Sequence, residues 1–150
     1  MKTLVALVDF SDLTFKVLKQ AHTLAKAFDS HVIILHVVPL EPTVIGIGVA
    51  APTILREPTD EEVAEDQEKL ASLGESLTKF GVNASTRQLR GATVDTVVNE
   101  AKRLDADLIL MGSHGHGSLY NLLVGTATTG VLKSATCPVL VVPADPTPTE

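Results

Sequence analysis

Five short apolar runs alternate along the chain with longer stretches whose apolar positions recur every three or four residues. Residues 4–8 are apolar without alternation, and so, apart from His36, are 32–38, as expected of parallel strands covered on both faces. Residues 107–111 and 138–142 read as two further strands. Residues 82–89 alternate instead, with Val82, Ala84 and Thr86 against Asn83, Ser85 and Arg87, which predicts a half-exposed edge strand.

Between these runs the period changes to that of a helix. Val17, Leu18, Ala21, Leu24, Ala25 and Phe28 form one inward stripe, opened by Ser11 or Asp12 as cap. Val63, Leu70, Leu73, Leu77 and Phe80 form a second, with Thr59 as its cap, an acidic first turn at Asp60, Glu61 and Glu62, and Gly81 as its stop. Val94, Val97, Val98, Ala101 and Leu104 form a third, begun by Ala92 or Thr93. Leu119, Leu122, Leu123, Ala127, Val131 and Leu132 form a fourth, capped by Ser118. Strands alternating with helices predict an α/β fold: a parallel sheet with right-handed crossovers and helices on both faces. Residues 1–143 are expected to form one domain and 144–150 a flexible, Pro/Thr-rich tail.

One segment departs from this rhythm. Residues 39–58 make a connection well above the usual length, and an apolar one, with Val44, Ile45, Ile47, Val49, Ile54 and Leu55. It reads either as a loop partly packed on the domain or as a lid or subunit contact.

Composition narrows the function. The 150 residues carry 18 acidic and 12 basic side chains, a formal net charge of −6, and the pI is about 5.3. A nucleic-acid partner would require a basic face to displace counterions, and a membrane-surface helix a basic stripe; the acidic balance argues against both. The uncharged stretch 108–132 is interrupted by Ser, His, Asn, Thr and Gly, so no membrane span is expected. Cys137 is the single cysteine, which excludes an intramolecular disulfide and fits a reducing cytoplasm.

The candidate chemistry lies in Gly112-Ser113-His114-Gly115-His116-Gly117-Ser118, directly after the fourth strand and before a helix. Glycines there let a ligand approach the backbone, and free N–H groups at a helix mouth form an anion site. The spacing is neither G-x-G-x-x-G nor the Walker pattern. Turn chemistry alone leaves two readings, a phosphate site or a tight strand-to-helix turn. Gly125, Thr126 and Thr128 follow, and would either pack the helix closely or add N–H and hydroxyl groups to the same anion. His114, His116 and His36 lack the acidic or cysteine partners that a zinc site would take, so no metal site is expected. No constellation for acid–base catalysis is visible.

Gly112-x-x-Gly115, nine residues, then Gly125-Thr126 resembles the ATP-binding signature of the universal stress protein family. Val8-Asp9-Phe10-Ser11, Met111-Gly112-Ser113-His114-Gly115 and Cys137-Pro138-Val139-Leu140-Val141-Val142 are similar to that family too, and the likeness covers residues 2–143. The resemblance implies a Rossmann-like sheet of the adenine nucleotide alpha hydrolase type with strand order 3-2-1-4-5. In that order Asp9 and Gly112 end the two strands that flank the reversal, where open α/β sheets bind ligands.

The resemblance further implies an adenine-nucleotide-binding stress-response regulator that binds ATP or AMP, with magnesium arriving only on the nucleotide. Asp9 would accept from ribose hydroxyls, or serve as the cap of the first helix. Val37 and Met111 would flank the adenine, or be plain core. Gly112, His114, Gly115, His116, Gly125, Thr126, Ala127 and Thr128 would surround the phosphates. Arg90 would face the crevice or solvent. Family members often carry Lys or Arg after the second glycine; His116 stands there instead, so one triphosphate cation is absent or pH-dependent. No turnover is expected. A slow ATPase and a nucleotide-free interaction module are the alternatives. A homodimer through the fifth strand is implied as well, because that strand is an uncharged apolar edge.

Overall fold

The computed structural model describes residues 1–38, 40–44, 46–48, 52–113 and 127–144, with the backbone alone at 41–44 and 127. The strands of its main sheet are β1 (Thr3–Val8), β2 (His31–Val38), β5 (Asn83–Arg90), β6 (Leu108–Gly112) and β7 (Val139–Val142). All four pairings between them are parallel. The order in space is β5-β2-β1-β6-β7. The sequence-based 3-2-1-4-5 describes these same five strands; its numbers change because two more strands precede β5 in the chain.

Those two strands correct the reading of residues 39–58. β3 (Glu41–Val44) and β4 (Thr53–Arg56) pair antiparallel from Glu41↔Arg56 to Val44↔Thr53. Ile47, Ile54 and Leu55 are exposed, so these side chains do not pack on the domain.

Among the described residues the helices are α1 (Leu13–Phe28), α2 (Asp60–Lys79), α3 (Val94–Arg103) and α4 (Ala127–Ser134). Strand alternation sorts the core into two layers. Leu4, Ala6, Val8, Val32, Ile34 and Leu110 meet Val17, Ala21, Leu70 and Leu77 of α1 and α2. Val5, Ile33, Leu35, Val37, Ile109 and Met111 meet Val97, Val98, Ala101 and Val131 of α3 and α4. Each fully closed Leu or Ile contributes about 1.5–3 kcal/mol. Three residues assigned inward by periodicity point out: Phe28 is 53% exposed, Phe80 69% and Leu132 54%. Phe28 is the last residue of α1 and Phe80 the C-cap of α2, both beyond the sheet's reach. Leu132 is adjacent to the buried Val131, and neighbouring positions on a helix face different sides.

Local chemistry sets the ends of α2. Thr59 accepts from the Glu62 N–H while the Glu62 carboxylate accepts from the Thr59 N–H, a complete capping box. Arg56 Nη2 lies 2.8 Å from Glu62 Oε1. That hydrogen bond, followed by the Thr59 N–H, holds the Glu62 carboxyl below its usual range. At the other end Gly81 adopts φ +82°. The Val82 N–H then reaches Leu77 O and the Gly81 N–H reaches Thr78 O, a Schellman stop that a side chain at Gly81 would strain.

Asp107 fastens the start of the chain. Its Oδ2 accepts from the backbone N–H of Lys2 at 2.7 Å and of Thr3 at 2.9 Å. These bonds, Thr3's first, hold the carboxyl below its ordinary value of 3.8. The depressed value means the stabilisation is complete above that pH and is lost as pH falls through the lower, folded value. Asp107→Ala should therefore shift the urea midpoint downward at pH 7. The gap from wild type should close in acid below about pH 4; a gap independent of pH would remove this role.

Among the described residues no helix is long and apolar enough to cross a membrane. Cys137 is half-buried rather than fully buried. Burial and, behind it, the charge of Asp107 push its thiol up, away from the reactive thiolate.

Candidate functional site

β1 lies between β2 and β6, so the chain's progress across the sheet reverses at the β1–β6 boundary. These two strands run in register from Leu4↔Leu108 to Ala6↔Leu110. Asp9 follows β1 and Gly112 closes β6, so both stand at the carboxyl end of the switch point. Of the residues singled out from sequence, the structure places Asp9, Val37, Met111, Gly112 and Thr128 and the backbone of Ala127. His114, Gly115, His116, Gly125 and Thr126 lie outside the described residues, as do most of the fourth helical stripe and residues 145–150 of the tail.

The turn after β1 is built around Asp9. Its Oδ1 accepts from the Ser11 N–H at 3.0 Å and from Thr14 Oγ1 at 3.5 Å. Asp9 thus organises the entry to α1. Asp12, at the N-cap position, makes no side-chain cap bond, and Ser11 Oγ makes none either. This corrects the expectation that Ser11 or Asp12 caps the helix. Both bonds fall on one Asp9 oxygen, so the entry to α1 does not consume the whole carboxylate.

Phe10, next in the turn, has φ +61°. Left-handed backbone is a real outlier for a bulky residue and survives only where the surroundings over-determine it. The surroundings here are specific. The Phe10 ring lies 4.3 Å from the His36 ring, centroid to centroid, and Lys69 Nζ sits 5.6 Å from the Phe10 centroid. His36 is buried. Its Nδ1 lies 2.9 Å from Val8 O, and its Nε2 lies 3.3 Å from Asp66 Oδ2 on α2. Both partners are hydrogen-bond acceptors. With both nitrogens engaged, His36 ties β1, β2 and α2 together and fixes the turn that carries Asp9.

Across the boundary, Thr128 Oγ1 donates to Ser113 O at 3.1 Å and approaches Gly112 O at 3.4 Å. The first turn of α4 is thereby joined to the end of β6, so Gly112 and Thr128, sixteen residues apart, belong to one structure. Ser113 N–H donates to Val142 O at 2.9 Å, which adds β7. On α4, a Cβ at Gly130 would lie 2.9 Å from Val94 Cγ1, so this helix approaches α3 as closely as a glycine allows.

Val37 and Met111 sit in the same core layer, 4% and 6% exposed. Arg90 does not border the switch point. It extends from the edge strand β5, placing Nη1 3.1 Å from Asp60 Oδ1 and Nη2 2.6 Å from Pro58 O, and so holds the start of α2. Among the described residues no three His, Cys, Asp or Glu side chains gather as a metal site. The sequence marked Ser11 only as a cap and as part of a family-like segment, and it placed His36 in a buried strand without giving its side chain a partner. A lone His inside an otherwise apolar strand was the available signal for the second.

The family model described as "Universal stress protein family" matches residues 1–143. The chain is 34% identical over 141 residues to universal stress protein MJ0531 of Methanocaldococcus jannaschii, covering 94% of this chain and 81% of that one. It is 32% identical over 145 residues to universal stress protein YxiE of Bacillus subtilis, covering 94% and 97%. Among solved structures, the universal stress protein of Archaeoglobus fulgidus in complex with dAMP matches with a TM-score of 0.67 at 25% identity, over 94% of this chain and 96% of that one. The chain belongs to the universal stress protein family.

Proposed function

We propose that this chain binds an adenine nucleotide, ATP or AMP, at the carboxyl ends of β1 and β6, and acts as a stress-response regulator in the cytoplasm. The observation that carries the reading is the meeting of Asp9 and Gly112 at the switch point, with the glycine signature from Gly112 to Thr126 opening there. The dAMP held by the Archaeoglobus relative supports the same ligand class. The Asp9 carboxylate would take ribose hydroxyls, with Val37 and Met111 beneath the base. Backbone N–H groups of the glycine turn and of the first turn of α4 would hold the phosphates. The Thr128 hydroxyl proton is directed at the turn's own carbonyls, so Thr128 serves the site by bracing the turn. Magnesium would come with the nucleotide. Two copies would associate through β7.

Native mass spectrometry of the purified protein tests this reading. A co-purified adenine nucleotide, or saturable AMP or ATP binding by calorimetry, is the expected result; protein that takes up neither is not a nucleotide regulator.

The same reading makes the protein a binder rather than an enzyme. Phosphoryl transfer requires a positioned base or water-orienting group and metal ligands. Among the described residues of the proposed site, Asp9 is the one carboxylate. Phosphate release from ATP with magnesium should stay far below about 1 per second, the low end of ordinary enzyme rates. A metal-dependent rate at or above that value would overturn the assignment.

A further inference from the structure

We infer that Ser11 is a ligand residue of this site, its Oγ donating a hydrogen bond to a ribose–phosphate oxygen of the bound nucleotide. The inference rests on the nucleotide reading above and adds to it a residue that the glycine signature does not contain.

The first observation is an orphaned hydroxyl. Among the described residues, Ser11 Oγ is the one buried side-chain polar atom without a hydrogen-bond partner. Folding removes such a group from water at a cost, and native structures almost always satisfy it. The obvious internal use, capping α1, is not made: the Thr14 N–H goes to the Ser11 carbonyl. The Ser11 N–H goes to Asp9 Oδ1, so the residue's backbone is satisfied and its side chain alone is not.

The second observation is the strain beside it. Phe10 is held at φ +61° by its packing on His36. A left-handed aromatic residue between two polar ones fixes where both of them stand. Such strain concentrates at ligand-binding turns, because a defined geometry there is worth more than a relaxed backbone.

The third is the chemistry of the pair. Asp9 supplies acceptor oxygens and Ser11 supplies a donor, two residues apart on a turn whose geometry is fixed. A ligand with hydroxyl donors and an anionic acceptor a few bonds apart matches both, and a ribose 5′-phosphate is such a group. Ser11 also precedes α1, which begins at Leu13, and the positive end of that helix favours an anionic oxygen over a neutral one.

Calorimetric titration of AMP into the full chain, with Ser11→Ala and Ser11→Thr beside wild type, tests the assignment. Ser11→Ala should weaken AMP binding about tenfold, the usual effect of losing a hydrogen bond to a charged group. Ser11→Thr, which keeps a hydroxyl, should bind like wild type to within about threefold. Thermal melts separate this from a structural role. Without nucleotide, Ser11→Ala should melt no lower than wild type, because it removes an unsatisfied group, and its AMP-induced rise should shrink. Ser11→Ala that binds AMP within about twofold of wild type overturns the inference and leaves the nucleotide reading standing. So does a variant that loses intrinsic stability while keeping its affinity. Wild-type protein that binds neither AMP nor ATP overturns the nucleotide reading itself, and this inference with it.

Discussion

Replacing Gly115 with valine is expected to weaken adenine-nucleotide binding at least tenfold, about 1.4 kcal/mol. Gly115 is the second glycine of the signature and follows a framework that the structure defines in detail. Gly112 closes β6, the Ser113 N–H is fastened to Val142 O, and both carbonyls face the Thr128 hydroxyl. The start of the turn is therefore anchored to β7 and α4 and has little freedom to yield. A ligand phosphate that approaches this backbone closely meets N–H groups when the residue is glycine. With valine it meets two methyl groups on a stiff χ1. Asp9, Val37 and Thr128 are on other elements, so the variant should fold as wild type does. Calorimetry with AMP and ATP measures the loss, and a far-ultraviolet spectrum and a thermal melt check the fold. Unchanged affinity in a properly folded variant would remove the glycine turn from the site.

The two kinds of signal in this sequence differ in range. Parallel strands covered on both faces have no alternation to blur, so residues 4–8 and 32–38 are legible from apolar runs, and their flanking helices from a three-to-four-residue period. The hairpin was not. Its strands are four residues each, one contains Pro42, and the stretch between them includes Gly46 and Gly48. Short segments of that composition read as loop. Phe28 and Phe80 fit their helical stripes but lie where the helices outrun the sheet, a limit set by strand length rather than by helical period.

The site divides in the same way. The glycine turn is an expectation from residue type and spacing, because turn chemistry is local; of that turn the structure describes Gly112 and Ser113. The environment of Asp9 is not local. His36 finds its partner Asp66 thirty residues later, and its ring meets Phe10 twenty-six residues earlier. Nothing in the four residues Val8-Asp9-Phe10-Ser11 announces that the third will adopt left-handed backbone, or that the fourth will bury an unsatisfied hydroxyl. Local chemistry therefore suggests what kind of ligand the site takes. Long-range packing determines how firmly the turn after β1 is held.

β7 pairs with β6 on one side, and among the described residues its other side is the end of the sheet. Its four residues, Val139–Val142, carry no charge. Pro138 and Pro143 bracket the strand but leave its centre able to pair, and such an edge recruits another strand unless something blunts it. Two copies placed antiparallel about a two-fold axis would satisfy both edges at once, with Leu140 and Val141 nearest the axis. Wild type should therefore sediment at twice the 15.9 kDa of the chain. A charge near the axis meets its own copy across it, and like charges so placed cost several kcal/mol. Leu140→Lys or Val141→Glu should then raise the dimer dissociation constant about 100-fold or more and yield a monomer at micromolar concentration. The two side chains serve different core layers, Leu140 against the α1 and α2 side and Val141 against the α3 and α4 side. A loss of packing in one layer would thus not mimic the result in both variants. Analytical ultracentrifugation measures the outcome, with thermal melts to show that each variant remains folded. A monomeric wild type, or folded variants that stay dimeric, would exclude β7 as the interface.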